Sequence, residues 1–84
     1  MIDSLEITGV QIKAGRVLLG LQLRPLAAAL DLSPATLYRI ETLTVAASSG
    51  SSVGTLRKLI GHMEARGLRF LENGVLLQKE KAPV

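Results

Sequence analysis

The chain has 84 residues, enough for one small domain at the lower end of what a single core stabilises. With no cysteine and one histidine, disulfides, thiolate metal sites and a cysteine nucleophile are excluded, and a zinc site has too few ligands. Ten Lys and Arg against seven Asp and Glu give a net charge of +3, which permits a polyanionic partner without requiring one. The aromatics are Tyr38 and Phe70 alone, so the core is expected to be aliphatic, as suits packed helices. No stretch approaches the ~20 apolar residues of a membrane helix. The start of the chain carries Asp3 and Glu6 and no long apolar run, so no signal peptide is read there. A cytoplasmic location without a membrane partner is expected.

Residues 1–7 read as a lead-in, and Thr8 as the N-cap of a helix over about residues 9–20. Val10, Ala14, Val17, Leu18 and Leu21 follow helical spacing and are expected to face the core. Gly15 costs about 1 kcal/mol against alanine inside a helix, and permits close backbone packing. Gly20 suits the C′ position that ends a helix. From Arg24 to Glu41 the pattern is a short helix, a turn and a second short helix. Pro25 is tolerated in a first turn, and Leu26, Ala27 and Leu30 share one face. Asp31-Leu32 makes the turn, and aspartate tolerates the left-handed conformation better than most residues. Ser33-Pro34 is an N-cap followed by proline at N1. Leu37 and Ile40 point one way, while Ala35, Thr36, Tyr38 and Arg39 lie on or near the other side. Helices this short do not stand alone. Their apolar faces must rest on the remainder of the chain, which leaves the second helix a polar face to present, the logic of a helix-turn-helix.

Residues 42–52 read as a loop, with Leu43 and Val45 directed to the core and a flexible Ser- and Gly-rich tail. That tail is either a tolerated insertion or a source of N–H and hydroxyl groups for phosphates. A helix over about Val53–Arg66, capped by Ser51 or Ser52, carries the stripe Leu56, Leu59, Ile60 and Met63 and stops at Gly67. Arg57, Lys58 and Arg66 lie outside the stripe. His62 in mid-helix has no converging nucleophile or acid, and neither a glycine-rich phosphate loop nor paired carboxylates occur, so neither an enzyme nor a cofactor is expected. From residue 68 to residue 79 the period changes to two. Asn73-Gly74 signals a tight hairpin turn between strands carrying Leu68, Phe70, Val75 and Leu77. An isolated hairpin is marginal in water, so this one is expected to pack on the helices or pair with a second copy through those four residues. Lys79–Val84 is a polar tail.

The run Arg16-Val17-Leu18-Leu19-Gly20, then Leu26-Ala27, Ser33-x-x-Thr36-Leu37 and Ile40-Glu41 resemble the Cro/repressor type of phage and bacterial helix-turn-helix domain, the XRE family, over roughly residues 7–66. The resemblance implies a mainly α, lambda-repressor-like bundle of about four helices, here with a C-terminal β-hairpin. The whole chain, 1–84, would be one domain: a DNA-binding core at 8–66 and a dimerisation hairpin at 68–79. It implies an ion pair between Arg16 and Glu41, which the 25-residue spacing fits. It further implies a dimeric transcriptional regulator, most simply a repressor, that sets the helix 33–41 into the major groove of an inverted repeat in double-stranded DNA. Its DNA contacts would come from Arg24, Ser33, Ala35, Thr36, Tyr38, Arg39 and Lys58. Ser33 serves a phosphate or its own helix, and Tyr38 a phosphate or the core rim. Two positions depart from the family pattern. Leu23 stands where many relatives carry glutamine, and Asp31 where a turn glycine is common. The alternative function is a protein-interaction module, such as an antitoxin or phage accessory factor, that keeps the scaffold and grips a protein partner with the hairpin.

Overall fold

Thr8 sets the start of the first helix. Its hydroxyl accepts from the Gln11 N–H at 3.1 Å, and the Gln11 side chain accepts from the Thr8 N–H at 2.9 Å, so two otherwise orphaned donors are satisfied reciprocally. In the computed structural model, which describes residues 6–78, α1 follows over Gly9–Leu18. Then come α2 (Leu23–Ala29), α3 (Pro34–Glu41), a 3₁₀ turn at Ala47–Ser49, α4 (Val53–Glu64) and the strands β1 (Leu68–Leu71) and β2 (Gly74–Leu77). The strands form an antiparallel hairpin with Leu68 opposite Leu77 and Phe70 opposite Val75. The fold is therefore mainly α with a C-terminal hairpin, as expected. The polar tail from Lys79 onward lies outside the described residues, as do residues 1–5.

The local signals act where the sequence places them. Gly20, at φ 74°, ends α1 two residues earlier than expected: its N–H donates to the Val17 carbonyl at 2.9 Å and the Leu21 N–H to the Arg16 carbonyl at 3.1 Å. Ser33 and Ser52 cap α3 and α4, each accepting from the N–H three residues on at 3.1 Å. α4 closes at Glu64, short of Arg66, and Gly67 turns the chain at φ 96°. All four residues of the α4 stripe, Leu56, Leu59, Ile60 and Met63, are buried. With Ile7, Ile12, Leu26, Leu37, Ile40, Leu68 and Phe70 they form one apolar core, aliphatic but for the Phe70 ring. Each large side chain there contributes about 1.5–3 kcal/mol by leaving water.

Helix α1 faces the opposite way from its expected stripe. Val10, Ala14, Val17 and Leu18 are exposed and Leu21 is half-buried. The inward side consists of Gly9, Gln11, Ile12 and Gly15. Close approach selects this side. A Cβ on Gly9 would overlap the Ile40 carbonyl oxygen and come within 2.8 Å of the Leu43 carbonyl, and one on Gly15 would collide with Leu68. Bare backbone lets α1 sink against α3 and the hairpin, and the larger aliphatic residues are left outside.

Three further expectations change. Val45 is exposed, and Ala47 fills the core in its place. The segment after α3 is also tied down: Gly9 and Val10 donate to the carbonyls of Val45 and Leu43 at 3.4 and 3.0 Å, and Ala47 donates to the Ile7 carbonyl at 2.7 Å. The loop thus satisfies the first N–H groups of α1, which have no partner within the helix. At the hairpin, Leu71 pairs with Gly74, so the turn centres on Glu72-Asn73, one residue before the Asn-Gly pair. None of these turn residues has positive φ. Gly74 instead occupies the last place of the turn, a position that type I turns favour for glycine.

The glycines separate in a thermal-melt comparison. Gly61 lies in α4 with nothing within 4 Å of an added Cβ, so Gly61→Ala is expected to stabilise by about 0.5–1 kcal/mol. Gly9→Ala, the same change in another helix, is expected to destabilise by about 1–3 kcal/mol or more through overpacking against carbonyl oxygens.

Candidate nucleic-acid interface

The α2–α3 pair is shaped by its turn. Asp31 sits at φ 59° in the left-handed region. Its N–H donates to the Ala28 carbonyl at 3.1 Å and the Leu32 N–H to the Ala27 carbonyl at 2.8 Å, the bonding pattern of a Schellman stop. Leu32 packs on the core edge beyond it. Ser33 then caps α3 and its hydroxyl lies 2.8 Å from that of Thr36. Pro34 occupies N1. Proline at position 25 falls in the first turn of α2, where its missing N–H costs nothing.

Helix α3 buries Leu37, Ile40 and Glu41 and turns Ala35, Tyr38 and Arg39 outward. Tyr38 is 62 % exposed, which excludes the core-rim role. The rotation of α3 is held by Arg16 of α1. The Arg16 Nε donates to Glu41 Oε2 at 2.8 Å and a terminal nitrogen to Oε1 at 3.1 Å, a two-bond fork. The other terminal nitrogen donates to the Leu21 carbonyl at 3.0 Å, between α1 and α2. Glu41 is 2 % exposed and Arg16 13 %, so the pair is shielded from water. The ion pair that the resemblance implies is therefore present.

The remaining expected contact residues divide. Arg24 is exposed on the first turn of α2, and Arg39 on the last turn of α3. Among the described residues neither side chain has a hydrogen-bond partner. Ser33 is exposed but its oxygen serves the helix cap. Thr36 is half-buried and its hydroxyl is engaged with Ser33. Lys58 is exposed on α4 and its ammonium donates to the Leu30 carbonyl at 3.4 Å, at the C-terminal end of α2. A cation there complements the partial negative charge of the helix end. It also brings α4 to the turn between α2 and α3.

The hairpin residues expected either to pack on the helices or to join two copies pack on the helices to different depths. Leu68 and Phe70 are core, at 0 % and 2 % exposed, and have no surface to offer a partner. Val75 and Leu77 lie on the same inward face and are half-buried. The outward side of the hairpin carries Leu71 and Leu76 instead. The strand alternation was legible; which face the helices cover was not.

Two positioning residues escape a reading of local patterns. The Gln11 amide, buried inside the α1 cap, also donates to the carbonyls of Leu71 and Gly74 and so fastens the hairpin turn to α1. The Thr-x-x-Gln spacing of the capping box is the signal that would have found its first role. Arg69 donates to the Glu64 carbonyl at 3.3 Å and the Leu68 carbonyl at 2.9 Å, capping the end of α4. His62 accepts from the Arg66 Nε at 3.2 Å one turn further on. No helix among the described residues is long and apolar enough to cross a membrane.

Chemical denaturation reads the contribution of the Arg16–Glu41 fork. Arg16→Ala leaves a buried carboxylate without its partner and is expected to cost about 3–5 kcal/mol. Arg16→Lys keeps the charge but not the fork and should cost less. At the turn, Asp31→Gly relieves a left-handed residue that has a Cβ and is expected to raise stability by about 1 kcal/mol.

Against known proteins, this chain matches no family model, no curated protein and no solved structure.

Proposed function

We propose that this chain is a sequence-specific DNA-binding transcriptional regulator that acts as a dimer on an inverted repeat. α3 enters the major groove, one copy per half-site, with centres about 34 Å apart. Occlusion of a promoter is the simplest consequence, which makes repression the favoured sense. The observation that carries the reading is the orientation of α3. Its apolar side and Glu41 are held inward by the core and by Arg16, while Ala35, Tyr38 and Arg39 stand clear of the protein on one outer face.

That face has chemistry suited to a groove. Ala35 is small enough to let the helix approach and offers a methyl group to thymine. Arg39 is the long donor, suited to guanine O6 and N7 or to a phosphate. Tyr38 offers a hydroxyl to a phosphate. Arg24 at the start of α2 and Lys58 beside the turn supply cations at the two ends of that helix. Asp31 places one acid in the same region and lowers the attraction. With a single long donor on α3, selectivity rests in part on DNA shape.

A salt series of binding to random-sequence duplex DNA tests the reading. Affinity is expected to fall steeply as salt rises. Arg39→Ala is expected to weaken operator binding by about 10- to 100-fold and flatten the salt slope by about one, with the melting temperature unchanged. No binding at low salt would refute the DNA reading.

A further inference from the structure

Helix α3 buries Leu37, Ile40 and Glu41, so the helical period sets the middle of its outer side on Ala35, Arg39 and Thr42, at i, i+4 and i+7, with Tyr38 beside them. All four are exposed. Their chemistry differs in kind. The Arg39 guanidinium donates hydrogen bonds and accepts none. Every other polar side-chain group on this outer side is a hydroxyl, which donates and accepts alike. That of Thr42 donates to the Arg39 carbonyl at 2.8 Å. Ser33 and Thr36 lie off this row, with their hydroxyls 2.8 Å from each other. Ala35 brings a methyl group and nothing else.

In the major groove the bases are told apart by their donors, their acceptors and the thymine methyl group. Arg39 has a fixed hydrogen-bonding sense and selects the paired acceptors O6 and N7 of guanine. A hydroxyl satisfies the O4 acceptor of thymine and the N4 donor of cytosine equally, so Tyr38 and Thr42 do not separate the two pyrimidines. Ala35 separates them only through the C5 methyl group on which its own methyl packs. Four residues of helix rise about 6 Å and base pairs follow one another at about 3.4 Å, so the Ala35 and Arg39 contacts fall about two base pairs apart. We infer that the half-site read by α3 joins a guanine, held by Arg39, to a C5-methylated pyrimidine about two base pairs away, sensed by Ala35, and that 5-methylcytosine serves there in place of thymine. The inference rests on the DNA reading of the proposed function and names what the helix selects. Ala35 is then the specificity-determining residue at its position, and it makes binding depend on one methyl group of the DNA, whichever pyrimidine carries it.

Selection of the native chain on a random-sequence duplex library at low salt tests this. A guanine and a thymine about two base pairs apart are expected to be enriched. In the selected duplex, deoxyuridine in place of that thymine removes the methyl group alone and should weaken binding about three- to fivefold. Cytosine should weaken it at least as much, and 5-methylcytosine should return it to within about twofold of thymine. Ala35→Gly should erase the difference between thymine and deoxyuridine, whereas Arg39→Ala should keep that difference and lose the guanine preference. Ala35→Ser also lacks the bare methyl group and replaces the glycine variant if circular dichroism shows that one unfolded. Equal binding of thymine and deoxyuridine, 5-methylcytosine no better than cytosine, or a deoxyuridine penalty that persists without the Ala35 methyl would overturn the inference. Salt-sensitive binding that enriches no such guanine and thymine would overturn it too and leave the DNA reading standing. A chain that binds no duplex at low salt would remove both.

Discussion

One guanidinium decides how the pieces of this small fold face each other. Arg16 spends its donors on both oxygens of Glu41 and on the Leu21 carbonyl, and so joins the end of α3 to α1 and to the link before α2. Helices of seven and eight residues gain little from propensity. Leu37 and Ile40 pull α3 onto the core, but burial is non-directional and leaves its rotation loosely set. The planar fork supplies the missing direction. Desolvating two charges offsets most of their attraction, so the contribution of the pair is to geometry more than to net stability.

The second constraint is steric and also belongs to α1. A helix with large aliphatic residues on one side and glycines on the other can bury either. Here the glycine side wins, because Gly9 and Gly15 allow backbone to meet carbonyls and leucine at distances no side chain permits. The hidden side then accommodates Ile12 and the Gln11 amide, which reaches across to the hairpin turn. The gain is a dense junction of α1, α3 and the hairpin. The cost is an aliphatic stripe left in water.

On the proposed function these two constraints divide the molecule. The ion pair and the Asp31 turn aim α3 outward on one side. The glycine contact of α1 fixes the junction with the hairpin on other elements. The hairpin is core on its inner face, and packing on the helices relieves the marginal stability of two strands alone.

Thr8, Ser33, Ser52, Gly20 and Gly67 act as local sequence dictates, because a cap or a left-handed stop is settled by hydrogen bonds within a few residues. The α4 stripe and the hairpin alternation were legible for a similar reason: one element's own period carries them. The Arg16–Glu41 pair was legible only through the family resemblance, since its partners are 25 residues apart. Tertiary structure alone decided the facing of α1, the exchange of Val45 for Ala47 in the core, the shift of the hairpin turn to Glu72-Asn73, and the burial of Leu68 and Phe70 that removes them from any interface. It also decided the second roles of Gln11 and Lys58, which bond carbonyls 60 and 28 residues away. Hydropathy counts what a side chain gains by leaving water. It does not register what a missing side chain permits, and at Gly9 and Gly15 close approach outweighed it.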